Sequence, residues 1–112
     1  MKIVDKISVK ELKEMAQKMD GNIVKADVDI VKKIVIIDMS MHFEGEQELL
    51  KKGSKQADLW GFNLIPSKFG TNAFIVYESM INIKPLENPG MTIKSGKIKL
   101  QIKDIIDEVV YE

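Results

Sequence analysis

Residues 23–41, IVKADVDIVKKIVIIDMSM, decide how this chain folds. Val24, Ala26, Val28 and Ile30 share one parity, and Lys25, Asp27 and Asp29 the other. Successive side chains of a strand point to opposite faces, so this alternation marks a strand with one apolar and one polar side. After Val31-Lys32-Lys33 a second apolar run starts at Ile34 and continues to Met41. Two strands this close together predict an antiparallel hairpin, although the turn lacks the favoured Asn-Gly pair.

Upstream, residues 2–7 read as a first strand. Ser8-Val9-Lys10-Glu11 is a capping box, and Val9, Leu12, Met15, Ala16 and Met19 then recur at helical spacing. That helix is expected to stop around Asp20-Gly21-Asn22, where glycine tolerates a left-handed turn. Downstream, residues 43–52 predict a short helix with glutamates early, Lys51 and Lys52 in its last turn and Gly53 after it, a charge order that complements the helix dipole. Residues 58–65 alternate again, with Trp60, Phe62 and Leu64 on one side. Residues 73–84 read as the longest strand, closed by Pro85, which has no N–H for a ladder. Ile98, Leu100 and Ile102 alternate like a strand, but Ile98, Ile102, Ile105, Ile106, Val109 and Val110 fit a helical face, and the longer pattern favours helix. Recurrent hairpins with few helices predict an α+β domain: a mostly antiparallel sheet of about five strands with helices packed on one face.

A chain of 112 residues suits one domain with a single core. Its net charge of zero lacks the basic footprint of a nucleic-acid binder. Apolar runs such as residues 34–37 are far too short to span a bilayer, and charge interrupts the N-terminus at once, so a cytoplasmic protein is expected. With no cysteine there are no disulfides, thiolate metal sites or thiol nucleophiles. Every basic side chain is lysine, so no guanidinium clamp on a phosphate or carboxylate is available.

Candidate chemistry gathers in three places. If the second strand runs on to Met41, Asp38, Ser40 and His42 share a face, near Asp27 and Asp29 of the hairpin partner. Carboxylates beside an imidazole can bind a divalent ion or form an acid–base pair. The plain alternative is a wet sheet face, which carries such residues in any antiparallel sheet covered on one side. Next, Gly53 to Asp58 supplies Ser54, Gln56 and Asp58 in a loop, but without the Gly-Lys-Ser/Thr run of a phosphate loop. Trp60 behind it reads as core rather than as a stacking platform. Third, Asn63 and Asn82 can present two amides on one face, with Ile81 and Ile83 turned inward and Asn82 and Lys84 outward.

The chain resembles a family of small archaeal and bacterial proteins catalogued as a domain of unknown function. The resemblance rests on Asp38-Met39-Ser40-Met41-His42, on Gly53-Ser54-Lys55-Gln56-Ala57-Asp58-Leu59-Trp60-Gly61-Phe62-Asn63, and on Ile81-Asn82-Ile83-Lys84-Pro85. It covers almost the whole chain and implies no particular activity, catalytic residue or cofactor. After Pro85 the family shows a small polar stretch with arginine, whereas this chain has Leu86-Glu87-Asn88-Pro89-Gly90.

Two functions follow as expectations. The first is a non-enzymatic binding or interaction domain whose partner is a protein or small ligand, with Asp38, His42, Ser54, Gln56, Asp58, Asn63 and Asn82 as candidate contacts. The second is a metal-assisted hydrolase in which Asp38 and His42 act with Asp27, Glu44 or Asp58. The site is expected on the side reached by His42, the loop from Gly53 to Asp58, and Asn63 and Asn82. Alanine at His42 or Gln56 is expected to move stability by only about half a kcal/mol.

Overall fold

The computed structural model describes residues 1–19 and 22–112. Strands β1 (Lys2–Val4) and β2 (Ile7–Ser8) precede helix α1 (Val9–Lys18), then β3 (Val24–Asp29) and β4 (Ile34–Ile37) form the hairpin. Helix α2 (His42–Lys51), β5 (Leu59–Leu64), β6 (Ile75–Val76), α3 (Gly96–Val109) and β7 (Val110–Tyr111) follow. The main sheet runs β1-β4-β3-β5-β6 with every neighbouring pair antiparallel. A small parallel pair, β2–β7, ties the C-terminus beside the start of α1. This is the expected α+β class with a five-stranded antiparallel sheet. The helix stop expected at Asp20 and Gly21 lies outside the described residues.

Local chemistry explains the hairpin without Asn-Gly. Asp29 Oδ1 accepts from the Val31 and Lys32 N–H groups at 2.9 Å each, and Lys33 closes the turn with a positive φ of 58°. The carboxyl does the work that a favourable turn dipeptide does elsewhere. Helix α1 starts as the capping box predicts, with Ser8 Oγ accepting from Glu11 N–H at 3.1 Å.

The two sides of the sheet are both covered, but unequally. Val24, Ala26 and Val28 of β3, Val35 and Ile37 of β4, and Trp60, Phe62 and Leu64 of β5 meet Leu12 and Ala16 of α1 and Ile102 and Ile106 of α3 in the main core. On the opposite side α2 lies across the sheet, where Ile36, Met39, Leu49 and Leu59 form a second, smaller cluster. The face carrying Asp27 and Asp29 is therefore not wet: both are fully buried. Of the three α-helices among the described residues, α1 and α3 share one face and α2 takes the other.

Two expected strands are shorter than their apolar pattern suggests. β4 ends at Ile37 because Asp38 adopts a left-handed conformation with φ of 67°. Asp38, Ser40 and His42 thus do not share a strand face; the chain turns at Asp38 and enters α2. Residues 73–84 form no long strand either. β6 covers only Ile75–Val76, and the chain coils into a single 3₁₀ turn, Met80–Asn82, started by Ser79 Oγ accepting from Ile81 N–H. Asn82 then takes over from the missing strand. Its Oδ1 accepts from Gly61 N–H at 2.7 Å and its Nδ2 donates to Gly61 C=O at 2.9 Å, so a side-chain amide completes the edge of β5. The approach requires glycine, since a Cβ on Gly61 would fall 2.6 Å from Ser79 Oγ.

Candidate functional site

Ile81 is buried as expected, but the expected exposure of residues 82–84 is inverted. Asn82 is fully buried and Lys84 nearly so, whereas Ile83 is exposed. Lys84 reaches inward, donating to Gln56 C=O at 3.0 Å with its ammonium 4.7 Å above the Trp60 ring. Burial lowers its pKa from the ordinary lysine value.

Between α2 and the segment from Val76 to Met91 lies an open cleft of about 720 Å³. Its floor is the α2 side of the sheet, where Lys25 of β3 and Asn63 of β5 stand opposite one another. Met41, Phe43, Met80, Ile83 and Met91 border it, and all five are exposed. His42, Glu46, Gln56, Asn63 and Glu78 supply its polar groups. The helix that positions His42 and Glu46 is held at its start by Glu44, whose Oε1 accepts from Ser40 N–H, Ser40 Oγ and Met41 N–H at 2.8–3.1 Å. These bonds, the Ser40 hydroxyl first, lower the Glu44 pKa.

Under the cleft runs a relay of three side chains. His42 Nε2 lies 2.9 Å from Asn63 Oδ1, and His42 Nδ1 lies 2.8 Å from Asp27 Oδ1. Asn63 Nδ2 faces the Glu78 carbonyl at 3.4 Å, which leaves Oδ1 for the ring and puts a proton on Nε2. The Nδ1–Asp27 contact joins the imidazole to a buried carboxyl. Burial pushes Asp27 up to about 6, opposed by its hydrogen bond and charge interaction with His42 and reinforced by nearby Glu46. Asp27 Oδ2 has no hydrogen-bond partner and sits against Gly45, where a Cβ would approach it to 2.3 Å. Both ring nitrogens of His42 are therefore committed, and its removal would strip Asp27 of its side-chain partner. His42 is not the surface side chain that its sequence context suggests.

Of the expected site residues, His42, Gln56 and Asn63 come together in the cleft. Asp38 lies elsewhere, in a smaller hollow with Met15, Lys18, Met19 and Ser40. Ser54 is buried and donates to Asp29 Oδ2 at 2.7 Å, anchoring the hairpin turn. Asp58 gives its backbone carbonyl to Ile30 N–H at 3.0 Å, and Asn82 is spent on Gly61. Among the described residues no group of three or more His, Asp and Glu side chains is placed to hold a metal ion. Among them too, no helix is long and apolar enough to cross a membrane.

The residue that sequence reasoning missed is Glu46. It lines the cleft yet is only 8% exposed, and its Oε2 is shut off from water with no hydrogen-bond partner. Nothing in FEGEQELLKK distinguishes it from its exposed neighbours. The one local signal is Gly45, whose missing side chain lets this part of α2 settle onto Asp27 and Met39.

Compared with known proteins, the chain matches the family model described as "Protein of unknown function (DUF5674)" over residues 1–109. No curated protein and no solved structure matches it.

Proposed function

The chain belongs to that family of unknown function, and from its own geometry we propose that it is a non-enzymatic binding domain for a small, largely apolar ligand held between α2 and the Met80–Asn82 turn. The observation that carries this reading is the cleft itself. Of the eleven exposed large apolar side chains among the described residues, five gather around this one concavity. Its volume of about 720 Å³ is that of a small-molecule site. Three of the five are methionines, whose unbranched chains adapt to a guest's shape.

The state of His42 supports binding over catalysis. A general base needs one ring nitrogen free to face the substrate, and here Asp27 and Asn63 occupy both. The hydrolase alternative requires Asp38 beside His42, and the two line different hollows.

Ligand-observed NMR with a set of small apolar fragments tests the proposal. Fragments should show saturation transfer from the wild type and lose it in Met80→Trp, which fills the cleft from a position that is 72% exposed. Fragments that bind both proteins equally would place the site elsewhere.

A further inference from the structure

Resting on the cleft reading above, we propose that the ligand carries a cationic ammonium group on an apolar body, and that Glu46 is the residue that receives the ammonium. Glu46 is the only cleft residue whose buried side-chain oxygen lacks a hydrogen-bond partner among the described residues. A carboxyl oxygen left unpaired out of water is unfavourable, and it stays so until the Glu46 side chain turns to meet a donor in the cleft. The protein does not provide that donor. Lys84 interacts with Glu46 by charge, but it gives its hydrogen bond to the Gln56 carbonyl, stands over the Trp60 ring and makes no hydrogen bond to Glu46. His42 is saturated by Asp27 and Asn63.

The surrounding charge favours the same class. Glu78 also lines the cleft, so two lining carboxyls stand against one lining ammonium, Lys25 on the β3 side, while Lys84 lies behind the lining within charge range of Glu46. An anionic ligand would meet Glu46 and Glu78 as like charges, with Asp27 buried beneath. The exposed methionine and phenylalanine side chains along the rim then cover the ligand's hydrocarbon, and a thioether or ring face accommodates the weakly charged carbons next to an ammonium. An alkylammonium or arylalkylammonium satisfies both halves of the site at once.

Isothermal titration at neutral pH with three probes of equal length, hexylammonium, hexanol and hexanoate, tests this. The wild type should bind hexylammonium about tenfold more tightly than hexanol, a difference of about 1.4 kcal/mol, and hexanoate most weakly. Glu46→Gln keeps the shape and removes the charge, so it should abolish the preference for hexylammonium over hexanol. Met80→Ala, at an exposed position, should weaken both probes by similar factors and leave their ratio unchanged. Equal binding of hexanol and hexylammonium, or an undiminished preference in folded Glu46→Gln, overturns the assignment while leaving the cleft reading intact. If Glu46→Gln does not fold, the wild-type ranking and the Met80→Ala ratio decide alone. No binding of any probe to the wild type overturns the cleft reading itself.

Discussion

Asp27→Asn should make this protein less sensitive to pH, and the size of the effect follows from burial. In the unfolded chain Asp27 titrates near 3.8, and in the folded protein near 6. Between those values the folded state holds the proton more tightly, so stability is greatest below 3.8 and declines as the pH rises through 6. The gap corresponds to roughly 3 kcal/mol lost from Asp27 by neutral pH. Asparagine has no proton to lose in that window, and its amide can still meet His42 Nδ1. Urea unfolding of wild type and Asp27→Asn at pH 4, 5, 6 and 7 isolates the contribution of Asp27 and the groups in contact with it, because groups away from it titrate alike in both. The variant should gain on the wild type toward neutral pH, by up to roughly 3 kcal/mol. A constant difference would refute the reasoning. So would a wild type that gains on the variant, since pairing of Asp27 with a His42 imidazolium would then outweigh its burial.

Other substitutions probe the packing around the cleft. Gly45→Ala should destabilise by roughly 1–3 kcal/mol in thermal unfolding, despite the helix propensity of alanine, because the new Cβ would lie 2.3 Å from Asp27 Oδ2 and 2.8 Å from Met39 Sδ. Asn82→Ala leaves both backbone groups of Gly61 unpaired in a buried site, which costs roughly 1–3 kcal/mol for each, and amide exchange at Gly61 should accelerate by more than global destabilisation accounts for. Trp60→Ala removes a side chain that is 1% exposed in the main core and should cost roughly 3–5 kcal/mol by urea unfolding.

The sheet was legible in residues 23–41 and 58–65 because a strand with one apolar face writes that face as every second residue. The C-terminal helix was legible because six apolar residues from Ile98 to Val110 hold helical spacing. Alternation does not say what covers the polar parity, and that is where the reading fell short. Lys25, Asp27 and Asp29 have the sequence of a solvated face, but Gly45 and Leu49 let α2 close over it. Residues 73–84 looked like a strand because Ile81 and Ile83 alternate. The chain coils there because Asn82 satisfies Gly61 by its side chain, a long-range pairing that no local pattern records. His42 and Asn63 were legible as polar groups at strand and helix ends. Their joining through Asp27 depends on register, with Lys25 opposite Asn63 and Asp27 opposite Gly61.

The methionine methyl groups offer the most direct test of the cleft. Met41, Met80 and Met91 line it, while Met15 and Met19 line the adjoining hollow that contains Asp38. A carbon–proton methyl spectrum recorded during titration with hexylammonium should show the Met41, Met80 and Met91 signals moving together along one binding curve, with Met15 and Met19 fixed. Movement confined to Met15 and Met19, or no movement of any methyl up to solubility, would contradict the proposal that this domain binds its ligand between α2 and the Met80–Asn82 turn.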